Sequence, residues 1–330
     1  MIYSKKICWI VTNSNAGVQS QALGLAEALG VKTEIKHVQR KFPFSLIPPI
    51  MKTIGRWSIN FTTSNSNKLE APWPDLVIAC GAQSVHFCLY IKEKSKGKTF
   101  CIFLQDPKIP AENFDLVIKM KHDSITGPNV IASNLSLNRI TPEKLTEESK
   151  KFEYLFKKYK EPFFTILIGG STKRYKMSQR ACEDIINKIN TLIKENPNTS
   201  LLITPSRRTP KYLLDLLNQY FKDNKNIYLH DLNTKTNPYF AMLEKANKIF
   251  VTNDSVNMVS EACSTGKQVY VLNLLGLKKG KPIKFTNNIL TQKIAHSFAE
   301  RLSETKHENN DVNETQRIAK EIKAIFNKHC

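Results

Sequence analysis

The chain has 330 residues, 41% of them hydrophobic, with 49 Lys+Arg against 29 Asp+Glu for a net charge of +20. That length and apolar content exclude a disordered chain and suffice for two α/β domains with real cores. The positive excess invites a polyanion, whether nucleic acid, anionic lipid or phosphorylated substrate. It is mostly Lys scattered beside many Asn and Ile, and no RNA- or DNA-binding signature accompanies it, so no nucleic-acid partner is expected.

Seven cysteines, Cys8, Cys80, Cys88, Cys101, Cys182, Cys263 and Cys330, contain no C-x-x-C pair and sit mostly in apolar patterns. They read as small buried hydrophobes in a reducing compartment. The first apolar run, Ile7–Val11, is a strand and too short for a signal-peptide core, and no stretch has the length of a spanning helix. The expected location is cytoplasmic, with the inner membrane face as a resting place.

Ile7–Val11 is followed by a polar loop, Thr12–Gln21, and a helix, Ala22–Leu29; Val31–Val38 supplies a second strand. The loop is neither a Walker loop nor G-x-G-x-x-G. Arg40–Trp57 is apolar and basic with prolines at 43, 48 and 49 that forbid one long helix. Two readings of it stand. Phe42, Phe44, Leu46, Ile47, Ile50 and Trp57 dip into an anionic membrane interface, or the segment packs on its own domain. Pro74–Gly81, Thr99–Leu104 and Phe114–Ile118 are further strands with polar turns and helices between them, the pattern of a parallel Rossmann-like sheet. Asp106 and His122 fall just beyond two strand ends, where such sheets carry catalytic groups and where turn formers also sit.

Sheet character stops over Ser133–Glu161, where Thr141-Pro142-Glu143 opens a charged helix to about Tyr159. A second series begins at Phe163–Ile168, ending in Gly169-Gly170-Ser171-Thr172. Ser200–Thr204 follows the helix Ser178–Glu195 and ends in Ser206-Arg207-Arg208-Thr209-Pro210. Lys248–Leu272 reads as strand, turn, helix and strand, with Asp254 and Ser255 as N-cap residues and Glu261 almost two turns into the helix. Small residues, hydroxyls and arginine at three strand ends, Gly170–Ser171, Ser206–Arg207 and Ser255, converge on phosphate chemistry. One of the two arginines is expected on phosphate, and Glu261 on a ribose hydroxyl pair. A helix is expected over Thr291–Leu302, a polar segment over Ser303–Asn310, and a last amphipathic helix through Ile318, Ile322, Ile325 and Phe326. The domain division is 1–145 and 146–330, with terminal helices returning to the first domain.

At the level of motifs the chain resembles the mitochondrial-fission ELM family, which is assigned to the GT-B group. The resemblance rests on Ala16-Gly17 with Gln21–Leu29, Trp73–Gly81, Gln105–Pro107, His122-Asp123, Gly127–Val130, Ile168–Gly170, Ser206–Pro210, Asn237–Tyr239 and Asp254–Ala262. It spans roughly residues 7–275. It implies two Rossmann-like domains facing a central cleft and a metal-independent glycosyltransferase, with a nucleotide sugar as substrate and no cofactor. The donor side would be Gly170, Ser171, Ser206, Arg207, Asp254, Ser255 and Glu261, and the acceptor side Gly17, Gln21 and Gly81. Relatives usually carry an acidic residue and glycine where this chain has Asn13-Ser14, which moves the expected base to Asp106, with His122 behind it. The basic charge and the Phe42–Trp57 patch suit an envelope or lipid-linked acceptor. The alternative is a catalytically inactive GT-B shell serving as a membrane-peripheral scaffold; a third reading is a sugar-nucleotide epimerase on the same fold.

Overall fold

Alternation in the first apolar run fixes two faces: Cys8 and Ile10 pack on one side of a sheet, Trp9 and Val11 on the other. The computed structural model describes residues 3–13, 16–301 and 313–329. After β1 (Ile7–Thr12) come α1 (Ala16–Leu29), β2 (Lys32–His37), α2 (Lys52–Trp57), β3 (Leu76–Cys80), α3 (Val85–Lys94), β4 (Phe100–Leu104), β5 (Leu116–Met120) and β6 (Val130–Ser133). Then follow α4 (Pro142–Lys151), α5 (Glu153–Phe156), β7 (Phe163–Ile168), α6 (Gln179–Glu195), β8 (Ser200–Pro205), α7 (Lys211–Phe221), β9 (Ile227–Leu229) and α8 (Tyr239–Lys245). The chain continues through β10 (Lys248–Thr252), α9 (Val256–Cys263), β11 (Gln268–Leu272), α10 (Lys281–Thr291), β12 (His296–Ser297) and α11 (Glu314–His329).

These elements form two units, Met1–Arg139 with Asn313–Cys330, and Ile140–Val312. The first holds a six-stranded parallel sheet in the order β2-β1-β3-β4-β5-β6. The second holds another, in the order β12-β11-β10-β7-β8-β9. Strand order reverses between β1 and β3 in the first sheet and between β7 and β10 in the second. Such switch points leave a crevice outside the strands' carboxyl ends, where α/β proteins bind ligands. Both faces of each sheet are covered. In the second unit, Phe164, Ile166 and Ile168 pack against α6 and α7, and Phe163 and Leu202 against α5 and α8.

Several elements differ from the sequence reading. Helix α1 opens at Ala16 and takes in the polar run expected as loop, because Gln21 turns inward and is buried. The charged connector breaks at Phe152 into two helices. The helix expected over Thr291–Leu302 lies earlier, as α10. Gly280 (φ +103°) precedes it and Pro282 sits in its first turn, a start signal, while Phe285 and Ile289 supply its buried face. Ser14, Leu302, the segment Ser303–Asn310 and Cys330 lie outside the described residues. The other six cysteines are free and buried.

Helix α11 belongs to the first unit. It buries Ile318, Ala319, Ile322 and Phe326 in the core that β1, β3, β4 and α1 share. Glu314 accepts hydrogen bonds from Ser133 Oγ (2.9 Å) and Asn134 N (2.8 Å), and pairs with Arg317 at 2.8 Å. Burial pushes its carboxyl up, but Arg317 and the two donors outweigh that and hold it below its ordinary 4.5. Ile322→Ala is expected to destabilise the first unit by about 2–5 kcal/mol in urea unfolding, the cost of an unfilled core site. Glu314 stabilises fully above its unfolded value of 4.5 and loses that contribution as pH falls through its lower folded value. Glu314→Gln is therefore expected to flatten the acid limb of the pH–stability curve.

Candidate functional site

In the second unit the switch point is built around one carboxylate. Asp254 follows β10, and its side chain is 0% exposed. Its Oδ2 accepts from Gly170 N (2.9 Å) and pairs with Arg208 (2.9 Å), while its Oδ1 accepts from Thr252 Oγ1 (2.8 Å). Thr252 Oγ1 in turn accepts from Gly169 N at 2.7 Å. The two glycines are required by this approach. A Cβ on Gly169 would lie 2.0 Å from Asp254 Oδ1, and one on Gly170 would lie 2.0 Å from Arg208 O. The loop after β8 closes the arrangement: Ser171 N donates to Arg208 O (3.1 Å), and Thr209 Oγ1 donates to Gly169 O (2.6 Å) and accepts from Ser206 N (2.9 Å). Three strand ends are thus locked together by paired, charge-assisted bonds.

The expected donor residues fall around this lock in different ways. Asp254 is inside it. Ser206 Oγ accepts from Arg208 N at 3.3 Å, and Ser171 Oγ from Met177 N at 3.1 Å; both residues are half-buried. Arg207 is exposed and makes no hydrogen bond or ion pair among the described residues, whereas its neighbour Arg208 is committed to Asp254. Ser255 is the N-cap of α9, its Oγ accepting from Met258 N at 3.4 Å, so that helix starts directly at the end of β10. Glu261, on α9, accepts from the Tyr239 hydroxyl at 2.7 Å. Burial pushes its carboxyl up to about 7, with the Tyr239 bond opposing. Sequence reasoning missed Arg208, Thr209, Thr252 and Tyr239 as parts of this assembly. Tyr239 stood out within Asn237-Pro-Tyr239, but nothing along the chain paired it with Glu261.

In the first unit the switch point is lined by amides. Asn13 Nδ2 donates to Gln83 Oε1 (3.2 Å) across the reversal between β1 and β3. Gln21 Oε1 accepts from Gln105 Nε2 at 3.3 Å. Gln105 has φ +75°, a left-handed conformation that costs a non-glycine residue and so is held by its surroundings. Gly81 (φ +87°) turns the chain after β3, close to Val18, and Gly17 lies in the first turn of α1. Asp106 follows β4, its Oδ1 accepting from Lys108 N (2.9 Å) and its Oδ2 paired with the Lys108 ammonium at 2.5 Å. His122 follows β5, next in the sheet, and is half-buried. Of the carboxylates expected at strand ends, Asp106 is engaged within its own turn. Among the described residues no group of three His, Cys, Asp or Glu side chains is placed to hold a metal ion, and no helix is long and apolar enough to cross a membrane.

With this geometry the chain can be set beside known proteins. Residues 16–326 match the family described as mitochondrial fission ELM1. The mitochondrial fission protein ELM1 of Arabidopsis thaliana is 26% identical over 256 residues, 69% of this chain and 58% of that protein. The UDP-GlcNAc 2-epimerase of Neisseria meningitidis, solved with UDP-GlcNAc, superposes with a TM-score of 0.57 at 14% identity, covering 98% of this chain and 100% of that one. The glycosyltransferase SnogD of Streptomyces nogalater gives 0.52 at 9% identity, over 96% of each chain. At such identities these likenesses speak for the fold alone, and that fold is GT-B, two six-stranded parallel sheets with flanking helices. By the match over residues 16–326, the chain belongs to the mitochondrial fission ELM1 family.

Proposed function

We propose that the chain is a GT-B glycosyltransferase that takes its sugar from a nucleotide-sugar donor bound at the second unit's switch point. One observation carries the reading: on a loop fixed by Arg208, Thr209 and Asp254, the adjacent Arg207 is exposed and has no protein partner among the described residues. A pinned backbone that presents an uncommitted guanidinium beside hydroxyls and a helix N-terminus is suited to a diphosphate. Arg207, Ser206, Ser171 and the backbone at Ser255 contact the phosphates, and Asp254, which takes the Gly170 N–H, acts by holding those loops. Glu261 takes the ribose hydroxyls, with Tyr239 orienting its carboxylate. As the glycosidic bond to the donor breaks, negative charge grows on the leaving diphosphate, and Arg207 with the α9 N-terminus stabilises it without a metal. In the first unit, Asp106 deprotonates the acceptor hydroxyl, with His122 as the alternative base, and Gly17, Gln21 and Gly81 shape the acceptor side. The acceptor is an envelope or lipid-linked glycan.

The second reading is a scaffold that keeps the shell and has lost the chemistry. It is favoured by the first unit's switch point, where Asn13, Gln21, Gln83 and Gln105 present amides and Asp106 is already engaged by Lys108.

Calorimetry with UDP-, GDP-, ADP-, CMP- and dTDP-linked sugars separates the readings. The transferase reading expects saturable binding of one of them, weakened roughly 10- to 100-fold in Arg207→Ala, the loss of a charge-assisted phosphate contact. Folded protein that binds none of them sinks the donor site. If a donor binds, transfer to an acceptor is expected to fall by about 10²–10⁴ in the variant that removes the true base, Asp106→Asn or His122→Ala. Because the Glu261 carboxyl sits at about 7, donor affinity is expected to rise with pH through that value as the carboxylate forms. Glu261→Gln should abolish that dependence.

A further inference from the structure

Between Arg40 and Thr62 the chain leaves the first sheet and returns, closed at its base by an antiparallel bridge between those two residues. Lys41 N donates to Phe61 O (2.8 Å) and Thr63 N to Gln39 O (2.8 Å). The excursion is then nailed down from inside. Arg40 is 3% exposed, and its guanidinium donates to Ser58 Oγ (3.1 Å), Ile47 O (3.3 Å) and His86 Nδ1 (3.0 Å). Burial, with the Arg40 charge beside it, pushes the His86 imidazole down to about 4. The neutral ring therefore accepts from Arg40 at Nδ1 and donates from Nε2 to Pro49 O, 3.2 Å away. Helix α2 rests directly on that ring, since a Cβ on Gly55 would lie 2.1 Å from His86 Nε2. Phe44 stacks on Phe61 and Trp57 packs against the same ring at a tilt of 57°, with centroids 4.5 and 4.6 Å away.

On this fixed frame six large apolar side chains face solvent: Phe42 (78% exposed), Leu46 (72%), Ile50 (74%), Met51 (48%), Ile54 (50%) and Trp57 (56%). Such a concentration within 16 residues of a pinned segment marks an interaction surface rather than scattered surface hydrophobes. Within the segment itself the charges have one sign. Residues 35–69 contain no Asp or Glu and six cations, Lys36, Arg40, Lys41, Lys52, Arg56 and Lys68. Glu34, Glu93 and Glu70 neutralise Lys36, Arg56 and Lys68. Among the described residues Arg40, Lys41 and Lys52 meet no carboxylate; Arg40 has neutral acceptors and Lys52 donates to Asn113 Oδ1 (2.6 Å).

We infer that the Phe42–Trp57 segment is a docking surface for an anionic lipid bilayer. Phe42, Leu46 and Ile50 are each more than 70% exposed. An interface of headgroups and acyl chains accepts protruding Phe, Leu, Ile and Trp without a shaped complement, whereas a protein partner needs one. The uncompensated cations beneath and beside them supply attraction to acidic headgroups. The buried Arg40–His86 anchor means the segment meets the membrane already ordered, without paying to order itself on contact.

The test is vesicle flotation with the full chain, independent of any donor or acceptor. The chain is expected to float with phosphatidylcholine–phosphatidylglycerol vesicles, more weakly with phosphatidylcholine alone, and less as salt rises. Ile50→Ser and Leu46→Ser are each expected to weaken flotation about tenfold. Lys41→Glu, at an exposed position, should weaken it on acidic vesicles only, and nucleotide-sugar binding should be unchanged in all three. No flotation, equal flotation of wild type and the apolar variants, or indifference to headgroup charge overturns the inference. So does a self-associated chain that Ile50→Ser converts to monomer while flotation is unaltered, which would assign the face to a second copy.

Discussion

The second unit depends on burying a single carboxylate where two strands part company. A fully enclosed Asp254 is tolerable only because every direction from it offers a donor: Thr252 from its own strand end, Gly170 from β7 and Arg208 from the loop after β8. Those partners come from three strands that are far apart in sequence and adjacent in the sheet. The carboxylate therefore sets the spacing of three loops at once, and the absence of side chains at Gly169 and Gly170 lets it approach. Removing one partner would leave a buried charge exposed to an apolar surrounding, so the node tolerates change poorly. The loops proposed to meet the donor's phosphates hang from it.

That dependence explains a division of labour that runs through the site. Arg208 spends its charge internally, and Arg207, one residue earlier, faces outward from a backbone its neighbour has immobilised. Pre-organisation of this kind lowers the ordering cost of binding, because the loop has nothing left to choose. The first unit has a contrasting chemistry. Its reversal point is held by neutral amides, Asn13 with Gln83 and Gln21 with Gln105, which add no net charge.

Much of the fold was legible because the cause is local and repetitive. Apolar runs such as Phe163–Ile168 and Ile249–Val251 admit little other than doubly covered parallel strands, and the loops that follow them are named by their glycines and hydroxyls. The site was legible only to the level of the loop. Arg207 and Arg208 are identical in one dimension, and which one turns inward is decided by the position of Asp254, a residue 46 places away from the second arginine. The pairing of Tyr239 with Glu261 is hidden for the same reason. Helix α1 was read six residues too short because the polar, glycine-bearing run through Gln21 reads as a loop, when Gln21's partner, Gln105, arrives from 84 residues downstream. Side-chain polarity predicts exposure only until a distant amide satisfies it.

The placement of α11 carries a consequence for how the chain is made. The first unit is discontinuous: residues up to 139 and those from 313 onward build one core, with the second unit's sequence entirely between them. A ribosome delivers the second unit uninterrupted, so it has all its own strands and helices in hand while the first still lacks Ile318, Ile322 and Phe326. During that interval the apolar surface of β1, β3 and α1 waits uncovered, and Ser133 and Asn134 wait for the Glu314 carboxylate. Synthesis order therefore makes the first-born unit the last to mature, and a stop codon immediately ahead of Asn313 would leave the second unit's sequence whole while costing the amino-terminal half a core helix.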